Sequence, residues 1–375
     1  MKKNILFTAF NLDIGGVEKC LVNLVNALDD EKYRVKIILQ VKEGVYLNDL
    51  NENIIVEGYN LIKIKNKILK KIINILKYIY ILIKNYRKYD YSICYAPGYT
   101  PSSILALLAS KNNIAWMHTN LDIYMKNYKP YENKKWTVNK KIKRFVNKMF
   151  FRKFKRNVFV SKDALNAYLK VFPKDKKKCE VIYNIIDYNN IIKKSKETIS
   201  LKKNKEFTFI NIGRQTEFDK RLSRIIKASK KLKEDGYKFK CILVGSGTDT
   251  SLYKSLINKY KLNNYITLIE NKKNPYPYFL LGDVFILSSE FEGFPTTIME
   301  ALTLKIPIIS TNVSDLEELI NNKYGIVVEK NDESIYNSML DFINKKYAIS
   351  NNFDASKFNK KELKKIERLL NDEKF

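Results

Sequence analysis

Short apolar runs alternate with helical segments through the carboxy-terminal half of the chain. The runs are Phe207–Gly213, Lys240–Val244, Ile266–Ile269, Val284–Leu287 and Ile306–Ser310. Segments of helical periodicity separate several of them, at about Leu222–Asp235, Thr250–Tyr260 and Thr296–Leu304. This alternation predicts parallel βαβ units, and the unbroken apolar strands predict a sheet that is covered on both faces.

The amino-terminal half repeats the alternation less regularly. Its apolar runs are Ile5–Phe7, Val35–Leu39, Ile93–Tyr95, Ile114–Met117, Val158–Ser161 and Val181–Asn184, and a helix is predicted near Val17–Leu28. We therefore predict a second open parallel sheet of the same α/β class. Because open α/β sheets bind ligands at the carboxyl ends of their strands, we expect two Rossmann-like domains facing a central cleft that holds the ligand.

Length and polarity divide the 375-residue chain into four parts. We predict an amino-terminal domain at residues 1–190, a Lys-rich linker at 191–205 and a second domain at 206–350. Residues 351–375 are predicted to form a charged helix that packs back toward the amino-terminal domain. The apolar face of this helix consists of Leu363, Ile366, Leu369 and Leu370.

Charge and cysteine content limit the class of protein. The net charge of +29 predicts attraction to phosphates, anionic lipid or nucleic acid. The first apolar run meets Asn11 and Asp13 too soon for a signal peptide, and no stretch approaches the roughly 20 apolar residues of a membrane span. The cysteines include no Cys-x-x-Cys pair, which argues against a disulfide framework or a zinc site and favours a cytoplasmic protein with reduced thiols. They are Cys20, Cys94, Cys179 and Cys241.

The most specific motif is Glu292–Glu300, which reads Glu-Gly-Phe-Pro-Thr-Thr-Ile-Met-Glu and follows an apolar strand. Pro295 stands where a helix would begin, a position that suits its missing N–H. The amides of Phe294, Thr296 and Thr297 are then placed to hold an anion. The two carboxylates beside such a site suit the hydroxyls of a sugar or a ribose. The alternative is a capped surface helix with exposed glutamates.

This Glu-x7-Glu spacing in a Glu-Gly-Phe-Pro context resembles the large retaining glycosyltransferase family 4, whose two-domain fold is called GT-B. Arg221 stands where the family has a glycine after its lysine, which leaves the shape of that turn open. The likeness extends over most of the chain and implies a metal-independent glycosyltransferase with a nucleotide-sugar substrate. Shorter motifs similar to family elements, in the family's order, are Gly15-Gly16-Val17-Glu18, Asn184-Ile185-Ile186-Asp187, Gly213-Arg214 with Lys220, Val244-Gly245-Ser246-Gly247 and Asn274-Pro275-Tyr276-Pro277-Tyr278.

The resemblance implies catalytic roles for His118 and Glu292. His118 is the only histidine and follows the predicted strand Ile114–Met117 directly. Its side chain suits proton transfer or a hydrogen bond to a hydroxyl, and the resemblance places it against the donor sugar. Glu292 would contact the transferred sugar, and Glu300 the ribose hydroxyls. Whether Glu292 acts as a nucleophile or only binds the sugar and stabilises charge stays open.

The remaining predicted site residues would bind the donor. Arg214 and Lys220 lie just beyond the carboxyl end of a predicted strand, where two cations can stabilise a departing diphosphate. Gly15–Gly16 and Gly245 would let the backbone approach the donor closely. Because these cations and the helix amides neutralise the charge, and no Asp-x-Asp motif is present, we expect neither an essential metal nor a cofactor.

Two basic stretches, residues 61–88 and 126–156, mix lysine and arginine with apolar side chains. The first contains no acid and the second contains only Glu132. Basic amphipathic helices with aromatic residues suit the interface of an anionic membrane, and the alternative is a set of solvated helix faces over an ordinary core. We expect peripheral association with the inner face of the cell membrane. The aromatic residues of the second stretch are Trp136, Phe145, Phe150, Phe151 and Phe154.

The resemblance to family 4 implies a retaining hexosyl- or N-acetylhexosaminyltransferase of class EC 2.4. We expect a UDP-sugar donor and a polyprenyl-linked or growing glycan acceptor, in the synthesis of a bacterial capsule or other surface polysaccharide. The first alternative is another GT-B enzyme, such as a sugar-nucleotide epimerase or an inverting transferase. The second is a basic nucleic-acid- or membrane-binding protein without catalysis. Nucleic acid is disfavoured as a partner because the sequence contains no recognition module or base-stacking platform.

Overall fold

The computed structural model describes residues 1–60, 66–95, 97–98, 100–118, 146–147, 149–347, 349 and 352–371. The chain divides into two compact units, one formed by Met1–Ile185 with Lys360–Phe375 and the other by Ile186–Asn359. Within these residues, each unit contains one sheet in which every pair of neighbouring strands is parallel. The predicted α/β class with two Rossmann-like sheets is confirmed.

The described part of the first unit has a seven-stranded sheet in the spatial order β3-β2-β1-β4-β5-β6-β7. The strands are β1 (Lys3–Ala9), β2 (Tyr33–Leu39), β3 (Ile55–Gly58), β4 (Tyr91–Cys94), β5 (Asn113–Met117), β6 (Arg156–Phe159) and β7 (Cys179–Val181). The helices of this unit include Gly16–Ala27, Lys67–Asn85, Pro101–Ala109 and Lys162–Val171. The strand order reverses between β1 and β4, and such a switch point is where open α/β sheets bind ligands.

The core of the first unit explains part of the second basic stretch. Phe151 and Phe154 are buried in one apolar cluster with Met117 of β5. The prediction of a membrane-facing role is therefore wrong for these two aromatic residues, because they pack against the sheet and the helices that cover it. Trp136 and Phe145 lie outside the described residues.

From Lys360 onward, the carboxy-terminal helix Ala355–Leu369 belongs to the first unit, where Lys365 Nζ donates a hydrogen bond to the Val181 carbonyl of β7 at 3.3 Å. Its buried Glu362 accepts a hydrogen bond from the Tyr183 amide at 2.9 Å and one from Lys365 Nζ at 2.8 Å. Strand β7 consequently ends at Val181 rather than at the predicted Asn184, because the amide of Tyr183 is bound by a side chain and not by a neighbouring strand.

The described part of the second unit has a six-stranded sheet in the order β10-β9-β8-β11-β12-β13. The strands are β8 (Thr208–Ile212), β9 (Lys240–Val244), β10 (Ile266–Ile269), β11 (Val284–Leu287), β12 (Ile308–Thr311) and β13 (Gly325–Val328). The helices include Tyr188–Ser195, Leu222–Glu234, Thr250–Lys259, Tyr276–Phe279, Thr296–Thr303, Leu316–Ile320 and Asp332–Ile343. The switch point of this sheet lies between β8 and β11.

A helix occupies the start of the segment that the sequence predicts to be a linker. The helix Tyr188–Ser195 extends into the predicted linker at residues 191–205. Two features stabilise this helix, because Asp187 caps its first turn and Ile191 is buried. The Asp187 side chain accepts a hydrogen bond from the Asn190 amide at 3.2 Å. Among the described residues, no helix combines the length and the apolar composition that crossing a bilayer requires.

Candidate active site

The loops that follow β8 and β11 meet at the switch point of the second sheet, and they carry Lys220 and Glu292. Lys220 Nζ lies 2.5 Å from Glu292 Oε1, and Ser289 Oγ donates a hydrogen bond to the same oxygen at 2.7 Å. The two charged side chains are only 21% and 12% exposed. A shielded ion pair of this kind is stronger than one in open solvent. The structure therefore brings these two predicted residues into direct contact.

Arg214 lies on the same loop as Lys220 but is far more exposed, at 66% of its side chain. Its Nη2 donates a hydrogen bond to Asp219 Oδ2 at 2.8 Å, and Thr216 donates to the other carboxylate oxygen of Asp219. The backbone carbonyl of Asp219 also accepts a hydrogen bond from the Glu290 amide at 2.8 Å. Asp219 thus orients an exposed cation and joins the two loops of the switch point.

The turn after Lys220 keeps the conformation that a glycine would adopt. Arg221 has φ +50° and ψ +43°, the left-handed region, and it immediately precedes the helix Leu222–Glu234. Ser288 Oγ donates hydrogen bonds to the carbonyls of Lys220 and Arg221, at 2.9 and 3.1 Å. Although an arginine replaces the family's glycine at this turn, Ser288, which directly follows β11, holds the backbone of Lys220 in place.

The Glu-x7-Glu motif forms the loop after β11 and the helix Thr296–Thr303. Pro295 stands one residue before the helix rather than at its first position, and no side chain of the described residues caps this helix. Its first amides, at Thr296 and Thr297, therefore remain available to an anion. Glu300 is buried, as is Phe294, whereas Thr296 and Thr297 are partly exposed.

Backbone geometry demands a glycine at position 245. Gly245 has φ +141°, and a Cβ atom added there would lie 2.0 Å from the carbonyl oxygen of Gly213. The loop after β9 consequently passes directly over the loop after β8, which carries Arg214. The predicted close approach of a donor to Gly245 stays a prediction.

His118 follows β5 directly in the first unit, and its ring packs against Tyr95 with 4.6 Å between ring centroids. Its Nε2 atom is buried and has no hydrogen-bond partner among the described residues. Burial lowers the pKa of His118 to about 3, because desolvation disfavours the charged ring. A neutral imidazole can donate or accept one hydrogen bond at each nitrogen, so Nε2 is suited to a ligand hydroxyl.

We expect the His118 ring to stay neutral from about pH 5 to pH 8. This range extends about one and a half units on either side of the ordinary pKa of a histidine side chain. It is the only histidine, so its Cε1–H signal can be followed by NMR without ambiguity. The chemical shift of this signal should not change with pH in the folded protein, and it should titrate at about pH 6.5 in urea. Since unfolding then takes up a proton, the free energy of unfolding should fall as pH drops below about 6.5. An inflection near that pH in the folded protein would contradict the burial of this ring.

Gly15 makes room for the side chain of Glu18. A Cβ atom on Gly15 would lie 2.0 Å from Glu18 Oε2, so the carboxyl group folds back over the glycine at the start of the helix Gly16–Ala27. Burial raises the pKa of Glu18. This carboxyl group is the far end of a flexible side chain that can move aside, so the contact alone does not require glycine here. Contact of Gly15–Gly16 with a phosphate stays a prediction.

The Asn-Pro-Tyr-Pro-Tyr stretch supports the core of the second unit. Its tyrosines and Phe279 are buried in the short helix Tyr276–Phe279, which packs against the helix Tyr188–Ser195. Asn274 Nδ2 donates a hydrogen bond to the carbonyl of Lys194 at 2.9 Å. This stretch therefore joins the start of the second unit to its sheet.

Reasoning from the sequence missed Asp219, Ser288 and Ser289 as parts of the site. A signal existed for the serines, because two hydroxyl residues follow the buried apolar run of β11 directly. Asp219 offered no such signal, since an acid in a charged loop is ordinary. Only the fold reveals that its carboxylate binds Arg214 while its carbonyl binds the loop after β11.

Comparison with known proteins agrees with this geometry. Residues 14–190 match the family model described as Glycosyltransferase Family 4, and residues 192–361 match the one described as Glycosyl transferases group 1. An uncharacterized glycosyltransferase of Methanocaldococcus jannaschii is 28% identical over 282 residues, which cover 70% of this chain and 68% of that protein.

Two further comparisons concern a named enzyme and a solved structure. N-acetylgalactosamine-N,N'-diacetylbacillosaminyl-diphospho-undecaprenol 4-alpha-N-acetylgalactosaminyltransferase of Campylobacter jejuni is 28% identical over 214 residues, covering 56% of this chain and 54% of that enzyme. The crystal structure of Anabaena HepE with UDP and glucose aligns with a TM-score of 0.72 at 17% identity, covering 97% of this chain and 99% of HepE. With the two family models matching almost the whole chain, this protein belongs to glycosyltransferase family 4 and has the GT-B fold.

Proposed function

We propose that this enzyme transfers a sugar from a UDP-sugar to a polyprenyl-diphosphate-linked glycan during synthesis of a bacterial surface polysaccharide, with retention of anomeric configuration. The observation that carries the proposal is the shielded contact between Lys220 and Glu292 at the switch point of the second sheet. The names of the relatives support the substrate classes. The Campylobacter enzyme is named for transfer to a diphospho-undecaprenol-linked glycan, and HepE was solved with UDP and glucose.

The chemistry of the site is electrostatic. As the bond between sugar and diphosphate breaks, negative charge develops on the diphosphate, and preorganised cations stabilise it. Lys220 is held in place by Glu292, and Arg214 by Asp219, so both cations are positioned before the charge appears. The uncapped amides of the helix Thr296–Thr303 add a second source of positive potential. Neutral His118 would bind a hydroxyl of the donor sugar. We propose that these groups replace a metal ion, so chelators should leave the rate unchanged.

A thermal-shift screen tests the donor class. UDP and its sugar conjugates should raise the melting temperature, since a ligand at 100 times its Kd adds about 2.7 kcal/mol of stability. The shift should persist in EDTA and shrink in Arg214→Ala and in Glu300→Ala. GDP and ADP should give smaller shifts at the same concentration. If no nucleotide shifts the wild-type protein while nucleic acid or vesicles do, the donor-site proposal is wrong.

The helix Lys67–Asn85 supports the proposal of peripheral membrane association. It exposes an apolar stripe that includes Ile68 at 73% and Ile83 at 70% exposure, and the side chains between them recur at helical spacing. Contiguous exposed apolar patches mark surfaces that contact other proteins or membranes. Lysines border the stripe, which suits an anionic bilayer. The stripe consists of Ile68, Ile72, Leu76, Ile79 and Ile83.

Removing the centre of this stripe should release the protein from membranes. The triple variant Ile72→Ser, Leu76→Ser and Ile79→Ser should bind anionic vesicles at least tenfold more weakly, because each buried aliphatic side chain contributes about 1.5–3 kcal/mol. A control with three exposed apolar residues of the second unit changed, Ile192→Ser, Leu201→Ser and Leu252→Ser, should bind normally. Co-sedimentation with vesicles measures both, and equal losses in the two variants would contradict the assignment.

A further inference from the structure

Ser314 has a backbone conformation that serine rarely adopts. It lies in the loop between β12 and the helix Leu316–Ile320, its side chain is buried, and its φ is +53°. Positive φ values are unfavourable for residues with a Cβ atom and favour glycine. Such conformations persist where the surrounding structure holds them, and they concentrate at functional sites. A serine at this position indicates that its hydroxyl group does something that glycine cannot.

Most other positive-φ residues of the second unit have an ordinary explanation. Four of the described non-glycine residues stand two positions after the last residue of a helix, where left-handed residues commonly end helices. In the described part of this unit, only Arg221 and Ser314 have a positive φ elsewhere. Each of these two is joined to a neighbouring loop of the candidate active site by a serine hydroxyl group. The four residues after helices are Lys261, Lys305, Asn322 and Lys345.

The Ser314 hydroxyl group binds the backbone of the loop that carries Glu292. Ser314 Oγ lies 3.0 Å from the carbonyl oxygen of Glu292 and 3.1 Å from that of Gly293. A hydroxyl group has one proton to donate, so the two carbonyl groups share it. These two residues begin the Glu-x7-Glu motif. The hydroxyl group thus fixes the backbone from which the Glu292 side chain reaches Lys220.

The same loop is held at a second point by β12. Thr311 Oγ1 donates a hydrogen bond to the carbonyl of Ser289 at 2.6 Å, and both residues are fully buried. Ser289 Oγ in turn donates to Glu292 Oε1 at 2.7 Å. Thr311 therefore fixes the start of the loop, and Ser289 orients the carboxylate of Glu292. Ser314 fixes the backbone at Glu292 itself.

We propose that Ser314 is a positioning residue, which holds Glu292 in place for contact with Lys220 and with the transferred sugar. The inference rests on the proposed function, because contact with a sugar requires a sugar-nucleotide donor. Since a shift of about 1 Å at a reacting group can cost about 100-fold in rate, loss of the hydroxyl group should lower kcat by about 10- to 100-fold. The Kd of UDP, which lacks the sugar, should stay within about threefold, because Ser288 holds the backbone of Lys220 separately.

Two substitutions separate this role from a contribution to stability alone. Ser314→Ala and Ser314→Gly both remove the hydroxyl group, but glycine accepts the positive φ, so the glycine variant should melt about 2–4 °C above the alanine variant. Both variants should lose kcat equally in transfer from a UDP-sugar. Lys345→Ala and Lys345→Gly provide the control, because Lys345 is exposed and has φ +54°. The control variants should show the same difference in melting temperature and the wild-type kcat.

A double-mutant cycle tests the positioning of Glu292 without any substrate. Lys220→Met should lower the melting temperature, because it leaves the Glu292 carboxylate without its cation. If Ser314 holds Glu292 against Lys220, the pair is already loosened in Ser314→Ala. Lys220→Met should then lower the melting temperature of Ser314→Ala by at most about half as much as that of the wild-type protein.

Two results would overturn the proposal. One is an equal effect of Lys220→Met in the two backgrounds, and the other is a kcat that recovers with the melting temperature from Ser314→Ala to Ser314→Gly. The first result does not depend on the donor. If the wild-type protein turns over no UDP-sugar, the proposed function fails, and a smaller effect of Lys220→Met in Ser314→Ala still supports the positioning of Glu292. If the wild-type protein transfers sugar but the two effects add, only the assignment of Ser314 fails.

Discussion

Replacing Lys220 with alanine should lower kcat for sugar transfer by about 100- to 1,000-fold, the loss that follows removal of one positioned group from a charge-stabilising site. Lys220 Nζ contacts Glu292 Oε1 at 2.5 Å, so the ammonium is fixed before the donor binds. The variant also leaves the Glu292 carboxylate with Ser289 but without its cation. We expect this to lower the free energy of unfolding by about 1–3 kcal/mol, which calorimetry or chemical denaturation can measure.

Lys227→Ala is the matched control for this variant. Lys227 lies on the helix Leu222–Glu234 and forms an exposed ion pair with Asp332 at 2.9 Å. Exposed pairs contribute about 0–1 kcal/mol, so this variant should keep its stability and its kcat. Lys220→Arg should retain more activity than Lys220→Ala, because it keeps the charge. A folded Lys220→Ala enzyme with kcat within about threefold of the wild-type value would remove Lys220 from the mechanism.

Replacing Gly245 with alanine should destabilise the second unit by about 3–5 kcal/mol, enough to unfold a marginally stable domain. Two effects add here. The φ of +141° belongs to a region that side chains rarely adopt, and the new Cβ would lie 2.0 Å from a backbone oxygen that has little freedom to move. The loops after β8 and β9 would have to separate, so donor binding should be lost together with stability.

Gly213→Ala provides the control for Gly245→Ala. A Cβ atom at position 213 meets nothing within 4 Å, and Gly213 does not have a positive φ. Its free energy of unfolding should therefore change by less than about 1 kcal/mol. Denaturant unfolding of the two variants measures the contrast. Equal stability of Gly245→Ala and the wild-type protein would mean that the two loops are not packed as described.

The fold was predictable where the strands are buried on both faces. Runs such as the one around Phe209 and Ile210 are unbroken and apolar, and they lie at the centre of their sheets. The edge strands β3 and β13 were not predicted. Strand β3 contains Glu57, which forms ion pairs with Lys36 and Lys84, and its other residues are not fully buried. A four-residue edge strand of this kind produces no distinctive pattern in the sequence.

The candidate site was predictable as a set of residue types but not as a set of contacts. Spacing and family resemblance identified Lys220 and Glu292, yet their contact depends on β8 and β11 being neighbours in the sheet. The low pKa of His118 depends on burial, which a single histidine after an apolar run does not reveal. Asp219 acts through one carboxylate and one carbonyl, so its role exists only in the folded loops.

The most direct test of the proposed function is acceptor-dependent transfer followed by NMR of the product. The wild-type enzyme should release UDP from a UDP-sugar only when a prenyl-diphosphate-linked sugar is present. The H1 coupling constant of the new glycoside should show the same anomeric configuration as in the donor. Inverted configuration would overturn the retaining mechanism. Epimerisation of the UDP-sugar without transfer, or no UDP release with any acceptor, would contradict the assignment of a polysaccharide-building transferase.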